Sequence, residues 1–181
     1  PDVAVVAIGA RGTPEGPRPC GHVAMAVAEQ LHVPVLVVPP ACGRDPRAPI
    51  RRALVPLEGT AATTAAVTDQ LRVLADAGVE ITALHVFDAA SVPSFWDRGV
   101  YASETFAAEF ASRWCPEPEV GELRLRRGDP GDAAVDVAET EDIDVIALGW
   151  SQNLAPGRAA VVRAVLDRAC VPVLLVPLSP G

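Results

Sequence analysis

Two stretches of the chain are near-copies of two others. Residues 5–9 read VVAIG and 145–149 read VIALG; residues 33–39 read VPVLVVP and 171–177 read VPVLLVP. Each pair brackets an Ala- and Val-rich stretch of helical pattern, His22 to Leu31 in the first copy and Arg158 to Ala169 in the second. One strand–loop–helix–strand unit therefore occurs twice, 140 residues apart by the positions of the first pair. That interval is the size of a whole α/β domain. The repeat predicts a tandem of two related domains. Residues 1–40 are the closing third of the first, 50–178 are the complete second, and the polar, Pro-bearing stretch 41–49 (ACGRDPRAP) is the linker.

Beyond the linker the elements alternate. Ala53 to Leu57 is a short apolar run, read as a buried strand. Thr60 is placed to cap a helix from Ala61 to about Ala77, with Val67, Leu71 and Leu74 as its apolar stripe and Gly78 just past its end. Glu80 to Phe87 reads as the next strand. A loop with Pro93, Phe95 and Trp96 follows, then a helix with Ser103 as its expected cap and Phe106, Phe110 and Trp114 on one face. Residues 122–127 (ELRLRR) alternate like a half-exposed edge strand. Asp129 before Pro130 marks a helix start, because Asp accepts an orphan N–H and Pro suits the first helical position. Ile143 to Leu148 is continuously apolar, as a central parallel strand should be. The last helix and Pro172 to Val176 complete the unit. Five strands with helices between them mean right-handed crossovers and an α/β, parallel, doubly wound sheet.

Composition narrows the function. The 181 residues are 50% hydrophobic with a mean hydropathy of +0.26, which argues against disorder. No apolar run reaches the roughly 18 to 20 residues of a membrane span, and no leader of secretory type is expected from the first residues. The net charge of −8 repels phosphate backbones, so nucleic acid is not an expected partner. All 15 basic residues are Arg. Without Lys there is no Schiff-base chemistry and no Lys-dependent phosphate loop. Cys20, Cys42, Cys115 and Cys170 form no C-x-x-C pair, and no His lies at a zinc-like spacing from them. They are read as reduced, inert thiols of a cytoplasmic protein, with Cys170 buried at a helix end. His22, His32 and His85 are too scattered for a catalytic set, and His85, within a strand, is read as a satisfied core histidine.

The segments ALVPLEGT (53–60), ALHVFD (83–88), GDPGDAAVDVAE (128–139), DVIALG (144–149) and VPVLLVP (171–177), in this order and spacing, resemble the universal stress protein family. The resemblance covers 50–178 completely and 2–40 as a second copy of the family's C-terminal third. It implies a Rossmann-like five-stranded sheet of order 3-2-1-4-5, here with an extra β-α-β unit at the N-terminus. It also implies a small cytoplasmic protein without established catalysis, often dimeric or tandem through the last strands, and in some members ATP binding.

In a doubly wound sheet, ligands sit outside the carboxyl ends of the strands at the switch point. Those ends carry Leu57 and Glu58, then Val86 to Asp88, then Gly149 to Gln152 with Ser151 between them. ATP-binding members of the family carry G-x-x-G, nine residues, then Gly-Ser or Gly-Thr at the last place. Glycines there let backbone N–H groups approach phosphate. This chain keeps Gly149, but Gln152 replaces the second glycine, the loop is shorter, and Ala159 and Ala160 stand for the Gly-Ser pair. The first copy keeps Gly9, Gly12 and Gly21, followed by His22, but not the strands that would hold base and ribose. Its glycines also suit turns and helix packing alone. Phe95, Trp96, Tyr101 and Trp150 are expected near the same rim, packing a lid or helix face, or forming a ligand or partner surface.

The reading that results is a non-enzymatic stress-response or regulatory module acting through oligomerisation or partner binding. The alternatives are an ATP- or AMP-binding sensor and a cytoplasmic regulatory domain of a longer protein such as a transporter. No G-x-S-x-G, H-E-x-x-H or paired-carboxylate set suggests an enzyme. No cofactor is required, and ATP or AMP is expected to bind weakly if at all. No metal is expected. A homo-oligomer is expected through 33–39 and 171–177, paired antiparallel within one chain or between two.

Overall fold

The computed structural model describes residues 5–10, 20–39, 45, 48–87, 100–116, 119–155 and 158–178. Its elements are β1 (Val6–Gly9), α1 (His22–Gln30), β2 (Val35–Val38), β3 (Arg52–Pro56), α2 (Ala61–Asp76), β4 (Glu80–Phe87), α3 (Val100–Trp114), β5 (Glu122–Arg127), α4 (Pro130–Thr140), β6 (Val145–Trp150), α5 (Ala160–Arg168) and β7 (Val173–Pro177).

All seven strands form one sheet in the order β1-β2-β7-β6-β3-β4-β5. Taken alone, β3 to β7 lie in the order 3-2-1-4-5, and all of their pairings are parallel. β1 and β2 are parallel to each other, and β2 joins β7 antiparallel, with Val35, Leu36 and Val37 opposite Leu175, Leu174 and Val173. The two copies of the repeated unit thus meet back to back within one chain. β2 and β7 each have a strand on both sides, so neither offers an edge to a second copy. Of the two alternatives expected from the sequence, antiparallel pairing within one chain or between two, the structure has the first.

Helices cover the sheet in two layers. The strand period of two sends alternate side chains to opposite faces. Leu54, Leu84, Ile146, Leu148, Val173 and Leu175 pack with α1, α4 and α5, through Met25, Ala134, Val137, Val162 and Val165. Ala53, Val55, Ile81, Ala83, Val145 and Ala147 pack with α2 and α3, through Val67, Leu71 and Phe110. Each fully buried Leu, Ile or Val contributes about 1.5 to 3 kcal/mol. The continuously apolar β6 lies inside the sheet, and β5, with exposed Arg126 and Arg127, lies at its edge. Arg124 and Arg126 bind Glu141, and Arg124 also binds Glu122. Hydrogen bonds to Glu141 and then Glu122 push the Arg124 guanidinium pKa above its ordinary value. An edge strand dressed with ion pairs resists pairing with another sheet.

The local start signals act as read at two helices. Thr60 Oγ1 accepts from Thr63 N, and Asp129 Oδ1 accepts from the N–H groups of Gly131 and Asp132. At α3 the reading is corrected. The helix begins at Val100, so Ser103 lies inside its first turn rather than capping it. Cys170 is also corrected: it is exposed, because α5 ends at Arg168 and the chain turns outward before β7. Cys42, Asp88, Pro93, Phe95, Trp96 and most of the linker lie outside the described residues, as does the side chain of Tyr101. No helix of the described residues is long and apolar enough to cross a membrane.

Candidate functional site

The carboxyl ends of β3, β4 and β6 form one rim of the sheet, where the crevice of a doubly wound fold belongs. Leu57 follows β3; its N–H donates to Leu84 O at 2.8 Å, and its side chain is buried on the α2–α3 side. Val86, near the end of β4, packs instead against the α4–α5 side. These two expected contacts therefore share a rim but face opposite layers. His85 is a satisfied histidine. Its Nδ1 lies 2.9 Å from Leu57 O, and because a carbonyl only accepts, the ring carries its proton there. The ring packs 4.2 Å from Phe110 and 4.8 Å from Phe87 by centroids.

Glu58 is exposed. Gly59 after it has φ +82°, and a Cβ there would come within 2.9 Å of the Phe110 ring, so the turn admits only glycine. Gly149 answers a different need. A Cβ on it would sit 3.3 Å from both Thr63 Cγ2 and Val67 Cγ1, so its bareness lets α2 lie close on β6. Trp150, the last residue of β6 and so at this rim, is buried in the α4–α5 core. Ser151 is exposed.

Gln152 has a left-handed backbone, φ +54°, and its side chain crosses to the other copy of the repeat. Nε2 lies 3.2, 3.0 and 2.7 Å from the carbonyls of Ala28, Glu29 and Leu31, the unpaired end of α1. The last carbonyls of a helix need donors from elsewhere, and one amide here supplies them. At the other end of α1, Cys20 N donates to Asp167 Oδ1 of α5 at 2.7 Å. Each of the two helices α5 and α1 thus has its end tied to the opposite copy. Ala159 has φ 53° and ψ 31°, the left-handed conformation suited to glycine, and gives no side-chain cap to α5. Ala160 opens α5 and is exposed.

The remaining candidates lie at the opposite rim, because β1 runs against β6. Gly9 ends β1 and is exposed; Gly21 precedes α1, its N–H donating to Ala10 O at 2.8 Å; His22 opens α1 and is exposed. Gly12 lies outside the described residues. The structure thus separates the two sets of glycines instead of joining them into one loop. The cross-copy role of Gln152 was not legible in the sequence; its one signal was a glutamine where the family keeps glycine.

A cleft of about 390 Å³ lies elsewhere, at the amino ends of β3 and β6, lined by Ala48, Pro49, Arg51, Arg52, Asp142 and Asp144. Asp144 is buried there and accepts from the N–H groups of Arg51 and Arg52 at 2.5 and 3.0 Å, which makes it a strand-end anchor. Among the described residues no group of three or more His, Cys, Asp or Glu could hold a metal ion.

A three-layer α/β/α fold, with a β3-to-β7 sheet of order 3-2-1-4-5, defines a Rossmann-like, doubly wound α/β protein. A model described as the universal stress protein family matches residues 49–177, and the chain belongs to that family. No curated protein matches. The fold is similar to a universal stress protein from Archaeoglobus fulgidus DSM 4304, with a TM-score of 0.64 and 18% identity, over 97% of this chain and 61% of that one. The chain therefore spans about three-fifths of that structure's length. It is also similar to a universal stress protein in complex with cAMP, TM-score 0.51, 18% identity, over 73% of this chain and 100% of that one. A third similar structure is the universal stress protein from Archaeoglobus fulgidus in complex with dAMP, TM-score 0.50, 18% identity, covering 71% and 98%.

Proposed function

We propose that this universal stress protein-like chain is a non-enzymatic stress-response or regulatory module of the cytoplasm, acting through partner binding or assembly, and that its complete unit does not hold ATP at micromolar affinity. The observation that carries this is Gln152. The residue standing where a phosphate loop needs bare backbone spends its side chain on the end of α1. Ala160 further lacks the hydroxyl that a Gly-Ser pair would bring, a donor worth about 1.5 to 3 kcal/mol toward a charged acceptor. No Lys compensates. The exposed thiol of Cys170 suits a reducing compartment.

The same reading takes residues 2–40 as the closing third of a preceding copy and 50–178 as the complete unit. Its support is the register of the two repeats: Gly9 faces Val38 as Gly149 faces Val176, and Val6 faces Val35 as Ile146 faces Val173.

A second reading, an adenine-nucleotide sensor, is favoured by the two similar proteins in complex with cAMP and dAMP. A monophosphate avoids most of the penalty at Gln152 and Ala160. Titration calorimetry with ATP and AMP, with and without Mg²⁺, separates the readings. The expected result is no ATP binding tighter than about 10 μM, roughly −7 kcal/mol; tighter binding overturns the proposal.

A further inference from the structure

Residues 151–155, which follow β6, are held down at two points. Gln152 Nε2 reaches the carbonyls of Ala28 and Glu29 in α1 and of its C-cap Leu31. Leu154 O accepts from Arg163 Nη2 of α5 at 2.9 Å, and the Leu154 side chain packs on the core shared by α1, α4 and α5. Between the two, Asn153 Oδ1 accepts from Ala155 N at 3.0 Å and closes a local turn. The segment is a strap laid across the joint between the two copies of the repeat.

Neither tether is a strong one. Gln152 has φ +54°, a left-handed backbone that an L-residue does not favour. An amide has two N–H groups, so the three carbonyls around Nε2 cannot each hold a full bond. Arg163 gives its guanidinium to a neutral carbonyl, and among the described residues it has no carboxylate partner. The end of α1 depends on the strap in turn, because no basic residue lies in its last turn to meet the terminal carbonyls.

One kind of occupant acts on both tethers. A phosphate at the carboxyl rim competes with Leu154 O for Arg163, and an ionised acceptor binds a guanidinium more strongly than a neutral one. We propose, resting on the adenine-nucleotide reading above, that Gln152 and Arg163 form a latch. A nucleoside monophosphate at this rim takes Arg163, lifts residues 151–155 and draws Gln152 off the end of α1. Nucleotide and latch oppose each other, and by linkage each weakens the other by the same factor. Occupancy at the second copy is thereby transmitted to the last turn of α1 in the first.

The test uses AMP and the 181-residue chain, by calorimetry and amide hydrogen exchange. It compares wild type with Gln152→Ala and with Gln152→Met, which keeps the length of the side chain and loses the donor. Both variants are expected to bind AMP about fivefold tighter or more, because no latch has to be broken. In wild type, AMP should speed exchange of the Gln30 and Leu31 amides, which close the last turn of α1, by about fivefold. In the variants those amides exchange fast already and AMP leaves them unchanged. Arg163→Gln, which also frees the strap, should instead lose AMP affinity by about tenfold or more; a gain overturns the assignment of Arg163 to the phosphate. AMP binding that is equal in wild type and the Gln152 variants, or weaker in the variants, overturns the latch and leaves the nucleotide reading standing. So does wild-type exchange at Gln30 and Leu31 that bound AMP does not change. No AMP binding by any of these chains at millimolar concentration overturns both.

Discussion

Gln152 combines a cost and a gain that substitution can separate. Its left-handed backbone costs an L-residue about 1 to 2 kcal/mol. Its two amide N–H groups are shared among the carbonyls of Ala28 and Glu29 in α1 and of the C-cap Leu31, and losing that should cost about 1 to 2 kcal/mol. Gln152→Ala keeps the strain and loses the bonds, whereas Gln152→Gly loses both. Gln152→Ala is expected to be less stable in urea than both wild type and Gln152→Gly; Ala at or above Gly would contradict the backbone argument. Ala159 carries similar strain with no side-chain cap to set against it. What was legible at this scale was short in sequence: Asp129 binds N–H groups two and three residues on, and Thr60 one three residues on. Gln152 binds carbonyls 121 to 124 residues away. A side chain acting at that separation leaves no periodicity or spacing to read.

Among elements, α4 and α5 approach each other closely at Gly131. A Cβ on Gly131 would sit 2.5 Å from the Cβ of Ala164, closer than two carbons can come. Gly131→Ala should therefore destabilise by about 1 to 3 kcal/mol although alanine favours helix. Ala164→Gly should return part of that loss in the double variant. A double-mutant cycle in urea checks it, and purely additive effects would mean that the helices do not press together there. Element type and order were legible because β6 is continuously apolar, β5 alternates, and the stripe Val67–Leu71 recurs at four. The start of α3 was not: Ser103 is a good cap by type, but the aromatic stripe Phe106, Phe110 and Trp114 lies wholly after it and so carries no mark of a start at Val100.

Across the whole molecule, Met25 and Ala28 of α1 share one core with Val165 and Leu166 of α5 and Leu175 of β7. The sheet is likewise continuous through the β2–β7 ladder. A shared core predicts one cooperative transition. Circular dichroism and the fluorescence of buried Trp150 should report the same urea midpoint. Two separated midpoints would mean that β1–α1–β2 melts as its own unit. The antiparallel pairing of 33–39 with 171–177 was legible from their near-identity. That both fall within one chain could not be read, since identical strands pair equally well in cis and in trans.

The antiparallel seam between β2 and β7 also gives the sheet two heads. The glycine turns of the first copy look out from one rim, and those of the second from the other. No small molecule could touch both at once. Gln152 nonetheless ties the front of one copy to the back of the other.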